Sequence, residues 1–226
     1  YLAVVACLIR VDGWVSRKAA HESHPPREAT ADTAWQRIFP SRVERDRGDW
    51  QAWAAERAPS DADRATAETA HEWAVELPGE SDFDYNLKVT ASLGYVQDRT
   101  SGIAAAIVSG YLRHVGREVV RQRRAATSRH FGTVGKREVF TLSVERIVTH
   151  DGAYGTTYIT SFLDADGNVA VWFASGKPRW NDSTGNVARY CEPGKTYRIK
   201  ATVKSHGDRN GIAQTVLPRG TVLGEV

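Results

Sequence analysis

The sequence EVFTLSVERIVT (138–149) is followed by TTYITSFL (156–163), NVAVWFA (168–174), TYRIKATVKS (196–205) and IAQTVL (212–217). All five segments are rich in β-branched and aromatic residues. In the first, Phe140, Leu142 and Val144 recur at every second position, as in a half-buried strand. One longer connection, residues 175–194, follows the third segment. Five strands with the long connection after the third predict a small closed β-barrel of the OB-fold type.

Glycine-containing turns indicate how these strands are joined. Asp151-Gly152 supplies a residue with positive φ for a tight turn between the first two segments. Gly167 is expected in the left-handed conformation between the second and the third, and residues 207–211 turn the chain into the fifth. The first three strands should therefore form a meander.

The third segment presents two different faces. Val169, Val171 and Phe173 share one face, which we expect to be the core face. Trp172 then points the other way, exposed between two alanines, and could stack a nucleic-acid base. The alternative is that Trp172 packs on the N-terminal helices and that the lysines of this region are only soluble surface, because aromatic side chains often mark interfaces.

The fourth segment shows the same division. Its apolar residues Ile199, Ala201 and Val203 alternate with a polar row. That row consists of Arg198, Lys200, Thr202 and Lys204. A basic row along one strand can follow a phosphate backbone.

This region resembles the OB-fold module of bacteriophage and mobile-element DNA-replication proteins in the stretches Val171–Gly176, Tyr197–His206 and Gln214–Arg219. In that module a lysine-bearing strand leads to a polar loop with histidine and glycine, followed by Gln-Thr and a basic residue. The corresponding residues here are Lys204, His206, Gly211, Gln214, Thr215 and Arg219. One departure is Pro218, which lacks an N–H and puts a continuation of the fifth strand to Leu223 in doubt.

The resemblance implies a non-catalytic protein that binds single-stranded DNA, or RNA, during replication or recombination of phage or mobile-element DNA. It also implies replication proteins as further partners and the cytoplasm of a bacterial host cell as the location. The aromatic and basic residues expected to contact nucleic acid are Tyr154, Tyr158, Trp172, Lys177, Arg179, Trp180, Arg198, Lys200, Lys204, His206 and Arg209. Two alternatives stay open: an accessory OB domain of a larger primase- or helicase-type enzyme whose catalytic part is missing upstream, or an OB-fold that binds protein.

Residues 1–116 are predicted to be mainly helical, followed by a basic linker at 117–131 and the OB-fold domain at 132–226, which makes the chain an α+β protein. Ser60 and Ser81 are placed to cap helices. Four tryptophans at helical or near-helical spacings indicate a helical core: Trp35, Trp50, Trp53 and Trp73. Residues 81–115 have the outline of a helix-turn-helix, but the second helix begins with small residues, which favours a plain αα-hairpin.

Charge is unevenly distributed along the 226 residues. Residues 1–110 contain 12 Lys/Arg and 17 Asp/Glu, residues 111–130 contain six and one, and residues 131–226 contain 12 and nine. The basic C-terminal half therefore favours an anionic partner. In the linker the basic residues are Arg117, Arg121, Arg123, Arg124 and Arg129, which should add phosphate contacts.

Short catalytic and nucleotide-binding motifs find no match. Residues 132–137 read Gly-Thr-Val-Gly-Lys-Arg, but a phosphate loop needs glycine where His130 stands and Ser or Thr where Arg137 stands. The sequence therefore predicts no catalytic residue, no cofactor and no metal. Cys7 and Cys191 favour a reducing compartment, and the apolar N-terminus is too short to span a bilayer. The absence of methionine, even at position 1, predicts that the chain is a fragment or a processed or trimmed form of a longer protein.

Overall fold

The structure is a computed structural model that describes residues 1–153, 155–181, 188–218 and 220–226. The chain divides into two compact units, Tyr1–Arg117 and Glu118–Val226. The first is helical and the second is built on a β-sheet, so the predicted α+β class is confirmed. None of the helices in the described ranges is both long and apolar enough to cross a membrane.

The first unit consists of helices that are mostly short. They are α1 (Leu2–Asp12), α2 (Arg17–Glu22), α3 (Thr30–Ile38), α4 (Arg42–Arg45), α5 (Gly48–Glu56), α6 (Asp61–Val75), α7 (Asp82–Ser92), a 3₁₀ turn (Asp98–Thr100) and α8 (Ser101–Thr127). The predicted caps are confirmed, because the hydroxyls of Ser60 and Ser81 accept hydrogen bonds from the amides of Asp63 and Asp84.

Small side chains dominate the helical core. Ala34, Ala70, Ala74 and Ala105 are fully buried, and they let the helices approach closely. Larger residues fill the remaining space, among them Val5, Leu8, Leu87, Ile107 and Val108. Of the four tryptophans, Trp53 and Trp73 are half-buried and pack against this core.

Helix α8 continues through most of the region predicted to be a linker. It ends at Thr127, and its last turns belong to the second unit. The Arg124 guanidinium pairs with Glu145 in the sheet. The Ser128 hydroxyl accepts a hydrogen bond from the Ala213 amide at 2.9 Å, and the Arg129 amide donates to Asn168 Oδ1 at 2.8 Å. Residues 118–131 are therefore anchored to the sheet and do not form a free linker.

The second unit contains the predicted strand segments and several further strands. They are β1 (Arg137–Gly152), β2 (Gly155–Leu163), β3 (Val169–Ala174), β4 (Arg179–Asn181), β5 (Ala188–Tyr190), β6 (Thr196–Thr202), β7 (Ser205–Arg209), β8 (Ile212–Leu217) and β9 (Gly220–Glu225). Seven of them form one mixed sheet in the order β7-β8-β3-β2-β1-β6-β9, with β3 and β8 parallel. Strands β4 and β5 form a separate hairpin.

The predicted five-stranded closed barrel is not confirmed in that form. The sheet has seven strands, with β7 and β9 at its edges, and its described strands do not make a closed ring of pairs. The predicted fourth strand divides at Val203 and Lys204 because its pairing partner changes there. Strand β6 pairs with β1, whereas the Lys204 amide already donates to Val216 in β8, at 2.9 Å.

Two of the three predicted glycine-containing turns have the expected conformation, and the first one differs. Gly167 has a φ of 81°, and Asn210 and Gly211, both with positive φ, join β7 to β8 in a two-residue turn. Strands β1 and β2 form the predicted hairpin, with Gly152 paired to Gly155. The positive φ expected at Asp151-Gly152 is instead at Gly155, with a φ of 105°, because β1 continues through Gly152. After Pro218 the chain does not continue β8 but starts a new strand, β9, beside β6.

The prediction that Trp172 is exposed is wrong. Trp172 is opposite Thr160 in β2, on the face of the sheet that carries Phe162, and its ring stacks near the Phe162 ring at a centroid distance of 6.3 Å. Trp172 is 8% exposed and belongs to the core. Phe173, predicted to face the core, is 45% exposed. Val169 and Val171 on the Phe173 face are also buried, so alternation alone could not identify the inner face.

Candidate nucleic-acid interface

An open groove of about 560 Å³ lies where β3 runs into the connection that follows it. Its lining residues come from β2, from β3, from the connection and hairpin β4–β5, and from the start of β9. They are Tyr158, Trp172, Ser175, Gly176, Lys177, Pro178, Arg179, Tyr190 and Gly220. Four residues predicted to bind nucleic acid are thus brought together: Tyr158, Trp172, Lys177 and Arg179.

The hairpin β4–β5 positions the basic and aromatic side chains of this groove. Arg179 is directly opposite Tyr190 in the antiparallel pair, so both side chains project from the same face. At the base of the hairpin the Cys191 amide donates to the Pro178 carbonyl at 2.9 Å. Trp180 projects from the other face and packs against the core. Alternation along a short hairpin therefore separates a groove face from a core face.

The base of the hairpin is held by buried, unreactive groups. Cys191 is fully buried, and burial raises the pKa of its thiol to about 11, so it remains protonated at neutral pH. The Tyr197 hydroxyl accepts a hydrogen bond from the Glu192 amide at 3.1 Å, and burial raises the pKa of Tyr197. These two side chains serve the structure of the groove and offer no reactive group to a ligand.

The groove is electropositive and contains accessible aromatic rings. Lys177 Nζ is 5.5 Å from the centroid of the Tyr190 ring, and the Arg179 side chain is exposed. Among the described residues, no Asp or Glu lines the groove. Tyr158 is half-buried and Tyr190 is 51% exposed, so each ring is at least partly accessible. Two tyrosines beside two cations can stack bases and contact phosphates.

The other predicted residues lie elsewhere in the second unit. Arg198 and Lys200 are exposed on β6, where the predicted alternation with buried Ile199 and Ala201 is confirmed. Lys204 and Arg209 are exposed further along the chain. None of these four residues lines the groove.

His206 and Trp180 already have partners within the fold. The His206 ring stacks on His130 at a centroid distance of 4.7 Å. The Trp180 ring packs on the core and has the Arg189 guanidinium 5.7 Å from its centroid. Neither side chain lines the groove. Tyr154 and Arg219 lie outside the described residues.

Two further aromatic residues of the second unit are accessible although the predicted binding set omitted them, and of the two Tyr190 lines the groove whereas Phe173 does not. Tyr190 enters the groove because the register of β4–β5 places it opposite Arg179, and strands this short leave no periodic signal in the sequence. Phe173 forms a cross-strand row with Ile159 in β2 and Val148 in β1. Phe173 and Val148 in that row are more than 40% exposed, so this outer face carries an accessible apolar stripe.

No protein-family model, curated protein or solved structure matches this chain at a significant level. Function must therefore be inferred from the groove, its charges and its aromatic side chains.

Proposed function

We propose that residues 118–226 bind single-stranded DNA, without catalysing a reaction, through the groove beside hairpin β4–β5. The observation that carries the proposal is the convergence of Lys177 and Arg179 with Tyr158 and Tyr190 on one open groove. Base stacking on an aromatic ring contributes about 1 to 3 kcal/mol per base. Each phosphate neutralised by a cation adds a salt-dependent contribution. RNA has the same backbone charge and base faces, so the test includes both polymers.

The charge of the second unit supports an anionic ligand. Residues 118–226 contain 16 Lys/Arg and 10 Asp/Glu, whereas residues 1–117 contain 14 and 17. The net positive charge of residues 118–226 favours their association with a polyanion, whereas the net negative charge of residues 1–117 disfavours it. Arg198 and Lys200 on β6 are exposed cations of the same positively charged unit.

The strand path supports an OB-type module. Strands β6 and β7 are separated only by Val203 and Lys204, yet β6 pairs with β1 and β7 pairs with β8. One bent strand therefore connects two strands that are distant in the sheet order, as in a partly open barrel of five strands: β1, β2, β3, β6–β7 and β8. OB-folds bind oligonucleotides on the face of their second and third strands, which here are β2 and β3. We propose a role in phage or mobile-element DNA replication or recombination on the resemblance described above.

The proposal is tested by titrating labelled oligo(dT) and oligo(U) with the protein and following fluorescence anisotropy at several salt concentrations. We expect the logarithm of the binding constant to fall linearly with the logarithm of the salt concentration, with a slope of about −0.7 for each phosphate contacted. The double variant Lys177→Ala/Arg179→Ala should lower that slope by about 1.4, because it removes two phosphate contacts. Tyr190→Leu should weaken binding about fivefold or more, and Tyr190→Phe should restore most of it, because a π-face returns.

The matched control is Lys136→Ala/Arg137→Ala. It removes the same charge from exposed positions of the same unit that do not line the groove. If the two double variants lowered the salt slope equally, binding would be non-specific, and the proposal that the groove is the binding site would be wrong. Binding that does not respond to salt, or an absence of binding to both polymers at low salt, would reject the nucleic-acid proposal and favour a protein partner.

A further inference from the structure

The helical unit contains a second open pocket of about 560 Å³ that the nucleic-acid proposal does not use. Residues of α1, α3, α6, α7 and the start of α8 line it, and all of them belong to the unit Tyr1–Arg117. Pockets of roughly 300 to 1,000 Å³ are the usual size for small-molecule sites. The lining combines apolar side chains such as Leu2, Ile38 and Ile107 with aromatic rings and carboxylates.

Three aromatic side chains give this pocket its exposed ring surface: Trp35, Phe39 and Tyr95. Trp35 and Phe39 are one turn apart at the end of α3, with ring centroids 4.6 Å apart. Phe39 is 60% exposed and Tyr95 is 56% exposed. An accessible aromatic ring attracts a cation, because the ring quadrupole places negative charge on its face.

Two carboxylates on α6 line the same pocket. Glu68 and Glu72 are four residues apart, so their like charges share one face of the helix and destabilise it. Within the described ranges neither carboxylate has a hydrogen bond or an ion pair, whereas Asp63 on the same helix pairs with Arg10 at 2.8 Å. Among the described residues no Lys or Arg side chain lines the pocket, and His71 is already bonded through Nε2 to the Ala91 carbonyl at 3.0 Å. Glu68 and Glu72 thus bring negative charge to the pocket without an ion-pair partner among the described residues.

We propose that this pocket binds a small organic cation, an alkylated or quaternary ammonium group on a short apolar or hydroxylated body. A cation over an aromatic ring is stabilised by the ring quadrupole, and two nearby carboxylates add Coulomb attraction. A neutral ligand would gain no Coulomb attraction from these two carboxylates, and an anionic ligand would be repelled by them. The proposal is independent of nucleic-acid binding, because its residues lie in the other unit.

The deciding measurement compares choline with 3,3-dimethylbutan-1-ol, which has the same shape but carbon in place of the charged nitrogen. Dissociation constants are obtained with the full chain from shifts of the amide NMR signals of Ala91 and Gly94, both of which line the pocket. We expect choline to bind at least about tenfold more tightly, within the range of a desolvated cation–π contact. Equal affinities, or no binding of either compound, would overturn the proposal.

Variants then assign the attraction to the named side chains. Glu68→Gln and Glu72→Gln should each weaken choline binding about threefold or more and leave the neutral compound unchanged. Glu80→Gln removes a charge from an exposed position outside the pocket and should have no effect. Tyr95→Leu keeps apolar bulk but removes a ring, so it should weaken choline binding, whereas Tyr85→Leu, at an exposed tyrosine outside the pocket, should not.

These substitutions are all at exposed or half-exposed positions, so folding should be preserved, and circular dichroism checks it. If the control variants weaken choline binding as much as the pocket variants do, the proposal fails. The comparison of the two ligands in the parent protein decides the question even if one variant does not fold.

Discussion

Trp172 illustrates how neighbouring side chains decide the role of a single residue. Its indole ring lies against Gly220, where an added Cβ would be only 3.0 Å from Trp172 Cη2. The ring also stacks near Phe162 and is 8% exposed. Trp172 lines the groove but is almost fully buried, so it supports the groove wall and does not provide a free stacking face.

We expect Trp172→Ala to destabilise the second unit by about 3 to 5 kcal/mol, because the substitution leaves a cavity in the core. Phe173 is the neighbouring aromatic residue and is 45% exposed. Phe173→Ala should therefore lower the free energy of unfolding by less than about 1.5 kcal/mol. Urea unfolding of the two variants measures both values. Similar stability of Trp172→Ala and the parent would show that the inner face of β3 has been assigned incorrectly.

The structure of the N-terminus of α6 depends on the carboxylate of Asp63. Asp63 is 3% exposed and accepts hydrogen bonds from Arg10 Nε and Nη2, at 2.9 and 2.8 Å, and from the Ser60 amide and hydroxyl, at 2.9 and 2.8 Å. The bond with Arg10 and those with Ser60 together hold the pKa of Asp63 well below its usual range, although burial opposes them. Asp63 thus caps its helix and ties it to α1.

This pKa shift makes the stability of the helical unit depend on acidity. A carboxyl with a lowered folded-state pKa stabilises the protein above the unfolded pKa of about 3.9, and that stability is lost as the pH falls further. We expect Asp63→Asn to be less stable at pH 7 by about 1.5 to 3 kcal/mol. The difference from the parent should narrow between about pH 4 and pH 2.

Urea unfolding across that pH range, followed by far-ultraviolet circular dichroism, tests the expectation. Asp61→Asn, at an exposed position in the first turn of the same helix, is the control and should cost at most about 1 kcal/mol. If the free energies of unfolding of Asp63→Asn and the parent differed by the same amount at pH 2 and pH 7, the charge of Asp63 would not contribute to stability.

The basic end of α8 should contribute to nucleic-acid binding through unpaired arginines. Arg121 and Arg124 pair with Glu118 and Glu145, whereas Arg123 and Arg129 have no carboxylate partner among the described residues. We expect Arg123→Gln/Arg129→Gln to lower the salt slope of oligo(dT) binding by at most about 1.4 and to leave binding detectable. Deletion of residues 117–129 would instead break the bonds to Asn168 and Ala213 and destabilise the sheet.

Anisotropy titrations measure this slope. Arg42→Gln/Arg45→Gln, which removes the same charge from exposed positions of the helical unit, should leave it unchanged. Complete loss of binding in Arg123→Gln/Arg129→Gln would show that the main binding site is at the end of α8 and not in the groove.

At the scale of the whole molecule, the two units differ in both architecture and charge. The helical unit is acidic overall and the sheet unit is basic. We expect residues 112–226, produced alone, to fold and to bind oligo(dT) within about fivefold of the full chain, because the groove and its cations lie in the second unit. Residues 1–111 should not bind it.

Circular dichroism and anisotropy on the two fragments test this division. If residues 112–226 fold but lose binding, the helical unit contributes to the interface and the proposed site is incomplete.

Several features could be read from sequence because they depend only on neighbouring residues. The helix caps at Ser60 and Ser81 require only a nearby serine hydroxyl. The turns at Gly167 and Gly211 require a residue without a side chain, because their φ angles are positive. The alternation of buried Ile199 and exposed Lys200 follows from the two-residue period of a strand. Helical and strand-rich halves were predictable for the same reason.

Other features depend on partners far away in the chain. Which face of β3 is buried depends on Phe162 and Gly220, and the division of the fourth strand depends on β8 taking over from β1 at Lys204. The groove exists because a register of three residue pairs sets Tyr190 opposite Arg179. Sequence periodicity specifies how side chains alternate, but only tertiary packing decides which face is covered, because burial is a property of the contacting surfaces together.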